Sequence, residues 1–253
     1  MNTKLIYAKN GSALTQYVAF IPGKQAAGSG SAVDQVGARN LAIGAGTSDG
    51  AVWANAGLMT TTDAVGGTSK GLVGTTLPSA NFKADSVILA MTMKGIASAA
   101  SAASKWFSTG PATGGGLQLR MGGTVTNGKF RLAVYANGSL GALSADSAIT
   151  LFDGNLKNLM IITDATTWVA KVYINGVYDS GIGDLSLSGL NAAAGTAGAI
   201  TVGTSQAPES DGTRPIGCAD IHYLVWPGAG LPTNIAALVS RHNARPWQKL
   251  RQS

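Results

Sequence analysis

The chain has 253 residues, of which 45% are hydrophobic and only 12% charged, about half the ~25% charge of an average soluble domain. It carries a net charge of +6, a single cysteine (Cys218) and a single glutamate (Glu209), with a pI of about 9.5. These figures exclude an intrachain disulfide framework and a catalytic glutamate pair, and no apolar run approaches the roughly 18 residues of a membrane-spanning helix. The 35 glycines, with abundant alanine, serine and threonine, fit many short strands joined by many turns.

Charge is uneven along the chain. Lys4, Lys9 and Lys24 precede the first acid, Asp34, and Arg241, Arg245, Lys249 and Arg251 follow the last, Asp220. Both ends are therefore basic around a nearly balanced middle, as solvated tails or as ends that dock on an acidic neighbour. After Met1 only Leu5 and Ile6 are apolar before polar residues return, which is not a secretory signal. Synthesis and folding in a reducing cytoplasm is the expectation, with Cys218 a small buried apolar residue.

Residues 1–33 are read as an N-terminal arm. Tyr17–Ile21 forms one short strand ended by Pro22-Gly23, and Gln25–Ser31 is a linker or exposed loop. Residues 34–232 are read as the domain. Its early strand candidates are Val52–Met59 and Gly71–Leu77, followed by a stronger one at Ser86–Lys94. Ile96–Ser104 is a short helix or a loop. Lys105–Thr109 and Gly116–Met121 are strands, and Asn127-Gly128 joins Leu117–Val125 to Lys129–Ala136, a pair that Asn137-Gly138 ends.

Ile149–Ser180 organises the rest. Asp153-Gly154 leads into an apolar run, Leu156–Thr163, and Asn175-Gly176 follows a second, Trp168–Ile174. Asp164–Thr167 makes the hairpin loop between them. In the second run Trp168, Ala170, Val172 and Ile174 alternate with Val169, Lys171 and Tyr173, the period of a strand with one face on a core. Asp184–Leu190, Ala199–Gly203 and Ala219–Trp226 are the remaining strands. Residues 233–253 are a short helix, Thr233–His242, with Thr233 as cap, and a basic tail. Ile235, Leu238, Val239 and His242 share one face of that helix.

The order FDG, L-x-I-x-x-D, then W-x-x-K-V-Y-I-N-G-V resembles the central hairpin of the concanavalin A-like, laminin-G-like jelly rolls. Ser86–Lys94 (SVILAMTMK), Ile200–Gly203 (ITVG) and Ala219–Trp226 (ADIHYLVW) resemble further strands of that superfamily, and Thr233–His242 its terminal helix. The resemblance implies an all-β antiparallel jelly-roll β-sandwich with an N-terminal arm and a short C-terminal helix, and Ser86–Lys94 at its centre. Asp34–Gly46 (DQVGARNLAIGAG) resembles the opening of laminin-G-like modules in phage proteins, with Val36 where serine is usual. Arg245–Leu250 (RPWQKL) resembles the N-P-W-Q-L-F ending of such modules among tailed-phage structural proteins.

For function, the resemblance to phage modules implies a virion structural protein, foremost a capsid decoration protein of a tailed bacteriophage. Lys4, Lys9, Arg241, Arg245, Trp247, Lys249 and Arg251 would then bind the major capsid protein or another virion protein and neighbouring copies in a homo-oligomer. The alternatives are a tail-fibre or other host-binding protein, or a lectin-like module on a surface glycan. No catalytic activity is expected. The eleven aspartates mostly occupy turn contexts, as in Asp49-Gly50, Asp153-Gly154 and Asp211-Gly212, whereas glycosidases need two flanking carboxylates. His222 and His242 form no metal-ligand cluster with Cys218, and Asp34, Asp211 and Asp220 are the candidate oxygens for a calcium ion. No cofactor, nucleic-acid or membrane partner is expected. Trp106, Trp168 and Trp226 are assigned to the core, Trp247 to an anchoring role, and Trp53 is left open.

Overall fold

In a computed structural model the strand and helix segments named below are described, together with residues 128–129, 144–151, 153–155, 165–168, 175–176, 179–184, 187–189 and 244. Strands β1 (Thr15–Phe20), β2 (Ser31–Ala32), β3 (Leu41–Ile43), β4 (Val52–Trp53), β5 (Met59–Thr60) and β6 (Leu72–Leu77) precede the long strand β7 (Asp85–Gly95). Then come β8 (Lys105–Ser108), β9 (Leu117–Gly123), β10 (Phe130–Ala136), β11 (Ser139–Leu143), β12 (Leu156–Asp164) and β13 (Val169–Ile174). The chain continues through β14 (Val177–Tyr178), β15 (Leu185–Ser186), β16 (Gly198–Val202) and β17 (Ile216–Pro227) to helix α1 (Ile235–Asn243).

The strands form two antiparallel sheets of a β-sandwich. One runs β14-β13-β12-β7-β17-β5-β4, with β1 also on β17 and β15 also on β13. The other runs β11-β10-β9-β8-β16-β6-β3-β2. The sequence explains which strands are central. β7 reads as an almost unbroken apolar run, and Val87 to Met93 are buried on both of its faces. β12 is likewise buried from Lys157 to Thr163. β13 lies further out and keeps a strict alternation. Ala170, Val172 and Ile174 are wholly buried, while Val169, Lys171 and Tyr173 remain partly exposed.

Buried polar side chains between β7 and β12 are hydrogen-bonded, as burial demands. Ser86 Oγ accepts from the Ala165 amide at 3.0 Å, and Thr163 Oγ1 accepts from the Val87 amide at 2.9 Å. Helix α1 covers one face of the first sheet. Leu238 and Val239 pack on Ile88 and Ala90 of β7, Met160 and Ile162 of β12 and Leu224 of β17, flanked by Ile235 and Tyr173. Each buried Leu, Val, Ile or Met of this cluster contributes about 1.5–3 kcal/mol. The helix end is fixed by polar contacts. Asn158 Nδ2 donates to Asn243 Oδ1 at 2.9 Å, Asn158 Oδ1 accepts from Thr92 Oγ1 at 2.8 Å, and His242 Nε2 lies 3.3 Å from the Met91 carbonyl.

Several expectations are refined. The strand expected at 17–21 occurs as β1, and it lies in the first sheet, with Thr15 to Phe20 paired along Val225 to Ile221. That part of the arm is held by the domain itself. Val52–Met59 is not one strand, because β4 and β5 fold back on each other. Asp184–Leu190 shortens to β15. The helix runs Ile235–Asn243, and Thr233 lies outside the described residues. Trp168 is a correction: it is 42% exposed and sits in the turn before β13 at φ 54, so it does not fill the core. The alternation that assigned it there breaks because the positive φ takes Trp168 out of the strand conformation.

Candidate functional site

The turn chemistry around β13 builds the site. Asn175 (φ 51) and Gly176 (φ 79) both take the left-handed conformation that a tight two-residue hairpin turn requires. The turn sets the register, with Ile174 opposite Val177 and Tyr173 opposite Tyr178. The two tyrosine rings therefore meet edge to face, with centroids 5.8 Å apart at 61°. Asn175 also fastens the turn to β12, its Oδ1 accepting from the Asn158 amide at 2.9 Å.

The chain continues in the same direction along β13. Ser186 pairs with Val169 and Leu185 with Ala170, which brings Asp184 level with Lys171. Tyr178 Oη donates to Asp184 Oδ1 at 2.6 Å, and Lys171 Nζ lies 3.4 Å from Asp184 Oδ2. The Lys171 and Asp184 side chains are 43% and 51% exposed, so this polar group faces water. The hydrogen bond from Tyr178, aided by Lys171, holds the Asp184 carboxyl below its usual range. The same bond pushes the Tyr178 phenol up to about 12, so the ring stays a neutral donor.

At the other end of β13 stands Trp168. Its amide donates to the Asp164 carbonyl at 2.8 Å and its carbonyl accepts from the Leu187 amide at 2.7 Å. Asp164 caps the loop, taking the Thr166 amide at 2.8 Å and the Thr167 hydroxyl at 2.9 Å. A non-glycine residue at positive φ is strained by about 1–3 kcal/mol and tends to mark functional positions. Along β13 the chain thus sets out a strip of residues, with the half-exposed Trp168 before the strand, the Tyr173–Tyr178 pair at its far end, and the Lys171–Asp184 ammonium–carboxylate pair at a position between them in register. Such a surface can stack apolar ring faces and exchange hydrogen bonds with hydroxyls.

Sequence reasoning missed this strip, although its signal was present. A two-residue Asn175-Gly176 turn pairs residue 173 with residue 178 by counting alone, which puts the two tyrosines side by side. The residues expected to bind partners are not brought together here. Lys4, Lys9, Arg245, Trp247, Lys249 and Arg251 lie outside the described residues, as do Asp34, Asp211 and Glu209, and Arg241 is known only by its place on α1. Asp220 lies on β17 opposite Thr92. Trp53, Trp106 and Trp226 are placed on β4, β8 and β17 by their backbone only. His222 and His242 are both buried. Among the described residues no group of three or more metal-ligating side chains occurs.

No protein-family model matches the sequence, and no curated protein matches it. Solved structures do match in fold. One is botulinum neurotoxin type C, which depends on interaction with two ganglioside molecules to enter cells. It aligns with a TM-score of 0.58 and 11% identity over 92% of this chain and 52% of its own. The binding domain of botulinum neurotoxin serotype D aligns with a TM-score of 0.60 and 11% identity, over 90% of this chain and 52% of its own. The sialidase of Trypanosoma rangeli, in complex with 2,3-difluorosialic acid, gives a TM-score of 0.57 and 11% identity, over 91% of this chain and 33% of its own. The chain thus spans about half the length of the toxin chains and a third of the sialidase, and the likeness is one of β-sandwich fold.

Proposed function

We propose that this protein is a non-enzymatic carbohydrate-binding module whose ligand lies on the strip from Trp168 to Tyr178. The observation that carries the reading is the cluster of Tyr173, Tyr178, Lys171 and Asp184 on and against β13, with a half-exposed Trp168 at positive φ in the turn that leads into that strand. Sugar rings have an apolar face and a rim of hydroxyls, and this strip offers aromatic surface beside a carboxylate and an ammonium. The sandwich fold, shared with a toxin that interacts with gangliosides and with a sialidase, supports it.

Binding without turnover fits the carboxylates. Asp153 is tied to Lys157 at 2.6 Å, Asp164 to its own loop and Asp184 to Tyr178 and Lys171, while Asp179 is buried among backbone amides. Each has a structural partner, and the chain has one glutamate. The test is a glycan array probed with the intact chain, with reducing-end release measured on every glycan it retains. Retention of glycans without release is expected. Release abolished by one Asp→Asn change would overturn the non-enzymatic reading, and retention of no glycan would overturn the binding reading.

A second reading concerns setting. The resemblance of Asp34–Gly46 and Arg245–Leu250 to phage modules favours a place on a tailed-phage virion, with the basic ends docking on the head shell or on neighbouring copies. Each exposed basic contact would add only about 0–1 kcal/mol, so linked contacts would be needed. Asn243 is bonded to Asn158, so a clean truncation removes only residues 245–253. That form should stay folded and lose binding to particles lacking the protein. Undiminished binding would remove the docking role of the tail.

A further inference from the structure

We infer that the strip takes a neutral oligosaccharide and discriminates against sialylated ones, an inference that rests on the carbohydrate-binding reading above. Three charged side chains are described on it. Lys171 carries the one positive charge, and Asp184 and Asp164 carry two negative charges. Lys171 is already turned toward Asp184, so its charge is largely spent within the strip. Asp164 and Ile162 alternate on the same side of β12 as Met160, and Asp164 stands opposite Val169, the neighbour of Trp168. Among the described side chains, an anionic sugar laid along β13 would therefore meet more negative than positive charge.

Neutral sugars meet a different balance. Asp184 Oδ1 accepts from one tyrosine and Oδ2 from one lysine. A carboxylate has about four lone-pair positions, so it keeps capacity to accept from sugar hydroxyls. Tyr178 Oη, whose proton is engaged in the hydrogen bond to Asp184, has lone pairs left to accept a hydroxyl proton. Hydroxyl pairs complete this arrangement, whereas a second carboxylate cannot donate to it. The strip is also long. Val169 to Tyr173 alone covers about 13 Å of extended strand, which suits several linked rings better than one.

The test uses the intact protein in titration calorimetry, with neutral tetrasaccharides of glucose, galactose and N-acetylglucosamine, and with lactose against 3′-sialyllactose. At least one neutral tetrasaccharide should bind, and its monosaccharide should bind at least about tenfold more weakly. 3′-Sialyllactose should bind more weakly than lactose by about tenfold or more, the effect of placing like charges together. Asp184→Asn should weaken the neutral ligand and shrink the preference against the sialylated one, with an unchanged far-UV spectrum. Equal or tighter binding of 3′-sialyllactose would overturn the selectivity while leaving the carbohydrate-binding reading intact. Binding of no sugar of either kind would overturn both.

Discussion

Two aspartates five residues apart, Asp179 and Asp184, are put to opposite uses. Asp179 is wholly buried. Its carboxylate accepts from the amides of Ala148 at 2.9 Å, Ile149 at 3.0 Å, Gly181 at 3.1 Å and Ile182 at 3.0 Å. The Ala148–Ile149 segment belongs to the run beyond β11 that borders β10, where Ser147 Oγ takes the Phe130 amide and Ser144 Oγ the Leu132 amide. Asp179 thus clips the edge of one sheet to the turn after β14 in the other. Asp184 is half exposed, and its partners are side chains that also face water. A carboxylate saturated by backbone amides can only hold structure, whereas one shared between a tyrosine and a lysine at the surface keeps capacity for a ligand.

Stability should respond at the first site and binding at the second. Asp179→Ala, the largest effect, removes the buried acceptor of four amides, that of Ile182 in the interior and the others partly buried, and should cost about 3–5 kcal/mol in urea unfolding. Gly181→Ala attacks the same clip from the other side. A Cβ there would overlap the backbone of Ala148 and Asp146, so a loss of roughly 2–3 kcal/mol is expected by the same measurement. Leu238→Ala, under the helix, should cost about 2–5 kcal/mol.

Changes at the strip should leave unfolding nearly untouched. Trp168→Gly trades an exposed ring for relief of the left-handed backbone, so stability should stay within about 1 kcal/mol of the parent. Carbohydrate affinity should fall at least about tenfold, or roughly 1.4 kcal/mol. The smallest effects are those of pH. Asp184 has its folded value depressed, so its contribution is present above the unfolded value of 3.8 and is lost as pH falls through the depressed folded value. Tyr178 has its folded value raised, so its contribution is complete below 10.0 and fades as pH rises through about 12. Carbohydrate binding should therefore be flat between about pH 5 and about pH 9, as read by titration calorimetry.

The fold was largely legible because its signals are local. β7 and β12 announce themselves as apolar runs, Asn175-Gly176 as a turn, and Ala170, Val172 and Ile174 as an inner face. The site was less legible because it is assembled across the reversal at Asn175-Gly176 and the excursion that separates β14 from β15, which both run antiparallel to β13. Asp184 meets Lys171 only after the chain has passed through β14 and the Asp179 clip, and no periodicity links residues 171, 178 and 184. Trp168 misled for a related reason. Its composition and spacing match a core strand position, and only the backbone conformation at the turn reveals otherwise.

The central claim is that the strip, and not the clip beside it, carries recognition. The most direct measurement is the affinity of the Trp168→Ala/Tyr178→Ala double variant for the tightest glycan bound by the intact chain, read beside its melting temperature. A melting temperature close to the parent's with binding reduced a hundredfold or more, about 2.7 kcal/mol, is the predicted result. Parent-like affinity in a folded double variant would contradict the account.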